Sequence, residues 1–256
     1  MIKMPEDNYE HLHSNIFYTE TNCPSDDIDV ENIDSFCSCD AGENCSNDSK
    51  CQCLRLSVGK NYNEDNTINY DKKTPFFECN DKCRCLKSSC QNRVVQNGPI
   101  LGLLKRRFES KGLGLICSTD IAKGQFVCEY AGEIITSKVA QKRSQKDSNN
   151  YILYVKEFFK ENLTVTIVDP TSIGNIGRYI NHSCDPNLFL QPTRVDIMTP
   201  RVALFALKNI PSGEELTFDY GNFNHENIED VKVSITKCLC QSDKCRGFLP
   251  HHTFKK

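Results

Sequence analysis

Apolar and polar residues alternate along GQFVCEYAGEII, residues 124–135, in the manner of a half-buried β-strand. YILYVKEFF (151–159) and LTVTIVD (163–169) read as further strands, rich in β-branched and aromatic side chains. RVALFALKNI (201–210) and ELTFDYG (215–221) extend the series. The turn-forming pieces AKG, DP, TP and PSGEE punctuate it. Only TSKVAQKRSQKD, Thr136 to Asp147, reads as helix, with Thr136 or Ser137 as its N-cap. Many short strands and scarce helix predict a mostly-β domain over residues 101–221.

The flanks have a different character. Residues 1–34 are polar, include the acidic run SDDIDVENID, and show no period, so a solvated lead-in is expected, with parts able to pack on the main domain. Residues 35–98 hold nine cysteines and the Asn/Asp-rich loop NYNEDNTINYDKK. Residues 234–250 form a second cysteine-rich segment. No apolar run approaches the roughly 18 residues that span a bilayer. The polar start MIKMPEDNYEHLHSN carries no signal-peptide core, so a soluble, non-secreted protein without a membrane role is expected. The net charge of −3 shows no basic excess, which argues against direct sequence-specific nucleic-acid binding. It suits a cationic partner such as a Lys-bearing peptide.

Sixteen cysteines in a chain without a signal peptide favour metal thiolates over disulfides. In the first block they are Cys37, Cys39, Cys45, Cys51, Cys53, Cys79, Cys83, Cys85 and Cys90. Nine is odd, so pairwise disulfides leave a thiol over, and so do independent four-cysteine sites. A shared cluster leaves none: tetrahedral zincs need four bonds each, and three bridging thiolates let nine ligands serve three Zn²⁺. Such a cluster is net negative, and Lys82, Arg84 and Lys87 are the expected neutralising neighbours. Its work is structural, because so few apolar side chains cannot fold this block alone. A disulfide module or a loose metallothionein-like binder is the alternative.

CLCQSDKC supplies Cys238, Cys240 and Cys245, one ligand short of a tetrahedral zinc. Cys184 is the expected fourth ligand, which would fold the C-terminus over the strand domain; His251 or His252 is the alternative. Cys117 and Cys128 sit in apolar strand settings and read as core. His182, Ser183 and Cys184 stand side by side in RYINHSCDPN and, taken alone, could be a nucleophile set.

GNIGRYINHSCDPNL, EELTFDYG, KGLGL and EYAGEII resemble the SET-domain protein lysine methyltransferases. The nine-cysteine block resembles their pre-SET module and CLCQSDKCRGFL their post-SET module, the combination of the SUV39-type subfamily. The resemblance implies a β-clip SET fold with a C-terminal pseudoknot, in which the NHSC segment passes beneath the last strand. The implied cofactor is S-adenosylmethionine (SAM), with three zincs in the pre-SET cluster and one in the post-SET site. Gly112, Leu113 and Gly114 match the Gly-x-Gly segment that lies along SAM, and Asn181 and His182 match the pair that meets it. Tyr151 matches a tyrosine lining the active-site channel, while Phe248 and Leu249 stand where an apolar side chain covers the adenine. By the same resemblance Tyr220 points its hydroxyl at the reacting amine, and Phe218 occupies a position that carries Phe or Tyr and governs how many methyl groups are added.

These correspondences imply a chromatin-bound nuclear enzyme acting on a histone H3 tail or another lysine-bearing peptide. Lysine 9 and di- or trimethylation are the leading expectations. Lysine 36, lysine 4, a non-histone target, or a non-catalytic SET module that binds chromatin remain open at this point. LKRRF is too short to define an import signal. The oligomeric state is left open.

Overall fold

The computed structural model describes residues 16–39, 45, 51–145, 151–159, 162–221 and 236–250, without the side chains of residues 159 and 162. The mostly-β expectation holds. Three sheets enclose the main core, and the helical elements among the described residues include α1 (Gln52–Leu56), α2 (Ser137–Ser144) and the 3-10 turns Val95–Asn97 and Ile176–Tyr179. Thr136 caps α2, its side chain accepting from the Val139 amide; the predicted extension to Asp147 lies outside the described residues.

The strands are β1 (Phe17–Tyr18), β2 (Cys23–Pro24), β3 (Phe76–Phe77), β4 (Leu103–Phe108), β5 (Gly112–Cys117), β6 (Phe126–Glu129) and β7 (Gly132–Ile134). They continue as β8 (Leu153–Phe159), β9 (Asn162–Gly174), β10 (Asn181–His182), β11 (Leu188–Arg194), β12 (Arg201–Ala206) and β13 (Glu215–Phe218). One sheet runs β1-β9-β7-β2 with β8 on β9, a second β10-β13-β5-β4, and a third β3-β11-β12-β6. The stretch predicted as one strand over 124–135 is therefore broken: β6 pairs with β12 and β7 with β9. All of β6 is buried, so both its faces are covered, and the turn at Tyr130–Ala131 carries the chain into another sheet.

Leu115, Val127, Val168, Ile176, Ile180, Leu204, Leu216 and Phe218 belong to one buried cluster joining the sheets. Cys117 and Cys128 are 1% and 0% exposed within it, as their apolar settings predict. Arg194 of β11 holds Glu157 of β8 through two bonds of 2.9 Å, which ties the β8–β9 hairpin to the third sheet.

The part of the lead-in that is described packs on the main domain. Phe17 and Tyr18 run parallel to Ile173 and Gly174, and Cys23 and Pro24 parallel to Glu133 and Ile134. Farther on, the Ile33 amide donates to Asp196 O at 2.8 Å and the Met198 amide to Glu31 O at 2.8 Å. The segment is a strap of very short strands, held by these backbone bonds and by Ile28, packed on the core, and Ile33, 6% exposed.

Candidate active site and metal centres

The order β10-β13-β5 gathers residues far apart in sequence. β13 runs parallel to β10, with Asn181 beside Thr217 and His182 beside Phe218, and antiparallel to β5, with Leu216 opposite Leu115. Asn181, His182, the Phe218–Tyr220 stretch and the Gly112–Gly114 backbone thus share one end of the sheet.

Gly112 has φ +78°, which favours glycine, and open space where a Cβ would stand. Gly114 is crowded instead: a Cβ there would lie 2.8 Å from Asn181 Nδ2 and 2.7 Å from the Phe108 ring. Asn181 Nδ2 donates to Leu113 O at 3.2 Å and to Glu215 Oε1 at 2.9 Å. Glu215 Oε2 in turn pairs with Lys111 Nζ.

His182 is fixed from both ring nitrogens. Nδ1 accepts from the Tyr220 amide at 3.2 Å, and Nε2 lies 3.3 Å from Cys184 Sγ. Burial pushes His182 down to about 4, against the pull of the Asp219 carboxylate 3.7 Å away and with help from Arg246. The ring is therefore neutral near pH 7. It is a wall and an acceptor for the Tyr220 backbone, not a charged acid.

Tyr220 donates its hydroxyl to Ile180 O at 2.8 Å. Its ring lies 4.8 Å from Phe218 and 5.2 Å from His182. Burial raises its phenol above the ordinary value, and the neighbouring Tyr151 and Glu215 add to the rise. Tyr130, which the sequence reading left unassigned, completes the aromatic group: its ring lies 5.7 Å from Phe218, and its hydroxyl donates to Tyr151 O at 2.6 Å. EYAGE held the signal, a buried phenol one residue past a strand. Tyr151 is 36% exposed, with the Arg178 guanidinium 4.6 Å from its ring centroid. Arg178 is 5% exposed, and its Nε and Nη1 have no hydrogen-bond partner among the described residues. Phe248, 47% exposed, bridges to Lys237, and the Leu249 amide donates to Thr236 O at 2.9 Å. The structure thus pairs both with the tail itself.

The nine cysteines of the first block form one cluster, eight of them buried and Cys83 partly so. Their sulfurs fall into three overlapping groups of four, each within 4.8 Å: Cys37, Cys39, Cys45, Cys51; Cys37, Cys53, Cys79, Cys83; and Cys37, Cys45, Cys79, Cys85. Cys90 packs in the same cluster outside those groups. Four thiolates at such spacing are the donor chemistry of structural zinc. The expected neutralising neighbours are elsewhere: Lys82 and Lys87 pair with Asp34 at 3.2 Å and Asp81 at 2.6 Å, and Arg84 is exposed. Arg93, 3% exposed, stands in their place, its Nη2 donating to Cys85 Sγ at 3.6 Å and Asn80 O at 2.6 Å. A guanidinium at the cluster offsets thiolate charge more effectively than ammonium groups in water.

Cys184, Cys238, Cys240 and Cys245 form a fourth such group, with Cys184 Sγ 3.8 Å from Cys238 Sγ. His251 and His252 lie outside the described residues. Lys244 pairs with Asp185 at 2.8 Å and Arg246 with Asp219 at 2.6 Å, so the tail is tied to the segments on either side of the site.

Comparison with known proteins places this geometry. The SET domain family matches residues 112–221 and the Pre-SET motif family residues 2–93. The Caenorhabditis elegans probable histone-lysine N-methyltransferase set-23 is 40% identical over 252 residues, covering 95% of this chain and 97% of the relative. The crystal structure of the methyltransferase domain of human histone-lysine N-methyltransferase SETMAR superposes with a TM-score of 0.81 at 35% identity, covering 97% of each chain. KRYPTONITE, solved with mCHH DNA, an H3(1-15) peptide and SAH, superposes at 0.74 with 29% identity, over 92% of this chain and 48% of that one. These matches make the chain a member of the SET-domain histone-lysine methyltransferases of the SUV39 type, enzymes that depend on SAM.

Proposed function

We propose that the protein methylates a lysine of the histone H3 tail, lysine 9, to the di- or trimethyl state, and works on chromatin in the nucleus. The observation that carries the reaction is the group Tyr130, Phe218 and Tyr220 beside His182 and the Gly112–Gly114 backbone. Gly112, Leu113 and Gly114 with Asn181 and His182 would hold SAM, and Phe248 with Leu249 would cover its adenine. The open side of Gly112 and the unpaired donors of Arg178 fit an anionic-ended ligand lying on the backbone. Bound there, SAM supplies a methyl group on a sulfonium. The H3 assignment is supported by the relative solved with an H3 peptide.

The chain's own part follows from its hydrogen bonds. A lysine amine must arrive neutral, and its pKa near ~10.4 makes this cost roughly 4–5 kcal/mol at pH 7. A buried aromatic channel lowers that pKa by desolvation, so no strong base is needed. The Tyr220 and Tyr130 hydroxyl hydrogens are committed to Ile180 O and Tyr151 O, so each oxygen presents lone pairs. Those oxygens accept from the amine N–H and aim its own lone pair along the transfer line. Tyr151, at the mouth, lines the channel. The nine cysteines of the first block would hold three zincs, and Cys184 with Cys238, Cys240 and Cys245 a fourth.

The test is mass spectrometry of histones incubated with SAM and the protein, alongside Tyr220→Phe. Dimethyl or trimethyl lysine 9 of H3 is expected from the wild type, with at least a ~100-fold slower reaction from the variant. Product at another lysine overturns the target. Full activity of Tyr220→Phe overturns the role of its hydroxyl.

A further inference from the structure

A three-residue relay lies beside the cofactor wall: Lys111 to Glu215, and Glu215 to Asn181. Lys111 and Glu215 side chains are only 17% and 14% exposed, although ion pairs at surfaces are ordinarily solvated. From this geometry we infer that Glu215, paired with Lys111, is a positioning residue: its carboxyl oxygen locks the Asn181 amide so that the amide oxygen faces the cofactor and receives the α-ammonium of SAM. The inference rests on the cofactor placement proposed above.

A side-chain amide has two N–H donors and one carbonyl oxygen. The Asn181 nitrogen already donates to two acceptors, Leu113 O at 3.2 Å and Glu215 Oε1 at 2.9 Å. Its Oδ1 accepts no hydrogen bond among the described residues. Flipping the amide would set Oδ1 against a carbonyl and a carboxylate, leaving two acceptors facing a third with no proton between them. The carboxylate makes this penalty larger than a neutral acceptor would, because charged hydrogen bonds are the stronger ones. Lys111 holds the carboxylate in turn. Gly114 permits the arrangement, since a Cβ would lie 2.8 Å from Asn181 Nδ2. What remains on the open side is an acceptor, which suits an ammonium group and repels a carboxylate.

Calorimetric titration with S-adenosylhomocysteine and with its desamino analogue tests this without turnover. The wild type is expected to prefer the amine-bearing ligand by about tenfold or more, which is ~1.4 kcal/mol. Glu215→Ala is expected to reduce that preference to below about threefold, as the freed amide loses its orientation. Glu215→Met serves the same purpose if the alanine variant fails to fold. The double variant Lys111→Met/Glu215→Gln removes both charges but leaves an oxygen for Asn181, and is expected to keep the preference within about threefold of wild type. Equal weakening of both ligands in Glu215→Ala overturns the positioning role, and so does a wild type indifferent to the amine. Binding of neither ligand by the wild type instead overturns the cofactor placement itself.

Discussion

Phe218 differs from tyrosine by one oxygen, and its surroundings make that oxygen matter. The ring is 1% exposed, between Tyr130 at 5.7 Å and Tyr220 at 4.8 Å. Both flanking hydroxyls already have carbonyl partners, so a third would take up a water or the amine and fill the space for added methyl groups. Phe218→Tyr is expected to keep the first methyl transfer and stop there, with mass spectrometry showing monomethyl lysine where the wild type gives higher states. Asn181, His182, Phe218 and Tyr220 could be singled out from sequence because they stand in dense, ordered motifs. Glu215 and Arg93 could not. A glutamate opening a strand and an arginine three residues past a cysteine look like solvated residues until partners such as Asn181 and Cys85 are brought to them.

Among the elements, the N-terminal strap is one that sequence periodicity missed, as it missed β4, β11 and α1. Strands of two residues are too short to show alternation, and their hold comes from backbone bonds, the Asn22 side chain and the buried Glu129 carboxylate, with Ile28 packed on the core. Glu129, at the end of β6 and 4% exposed, accepts from the Thr21 hydroxyl at 2.9 Å and the Asn22 amide at 3.2 Å. Burial raises it to about 7 and Glu78 adds to the rise, while the strap's two donors and Arg201, 3.9 Å away, oppose it. Because the folded value lies above the unfolded one of 4.5, the stability it confers is complete below 4.5 and lost as pH rises through about 7. Glu129→Gln cannot ionise. Urea denaturation from pH 4 to 8 is expected to show the wild type losing about 3 kcal/mol relative to that variant. Parallel pH profiles for the two proteins would remove Glu129 from this account.

At the scale of the molecule, the proposed metal and cofactor sites meet at Cys184. It lies two residues from His182, whose Nε2 is 3.3 Å from its sulfur, and gathers with Cys238, Cys240 and Cys245. Cys184→Ala is expected to lose one zinc of the proposed four, free residues 236–250 from the core, and weaken SAM binding. Metal analysis showing all four zincs retained would exclude Cys184 as a ligand. The cysteine spacing made these groups legible from sequence, whereas the path of the strap and the split of residues 124–135 between two sheets depend on distant pairings that no local pattern encodes. The position of β13 between β5 and β10 also bears on how the protein is made. A nascent chain released as far as residue 210 has both walls of the proposed cofactor site and lacks the strand that joins them. Inserting a late strand between two distant ones is a non-local, slow event. Ligand binding during synthesis or refolding therefore cannot precede this insertion.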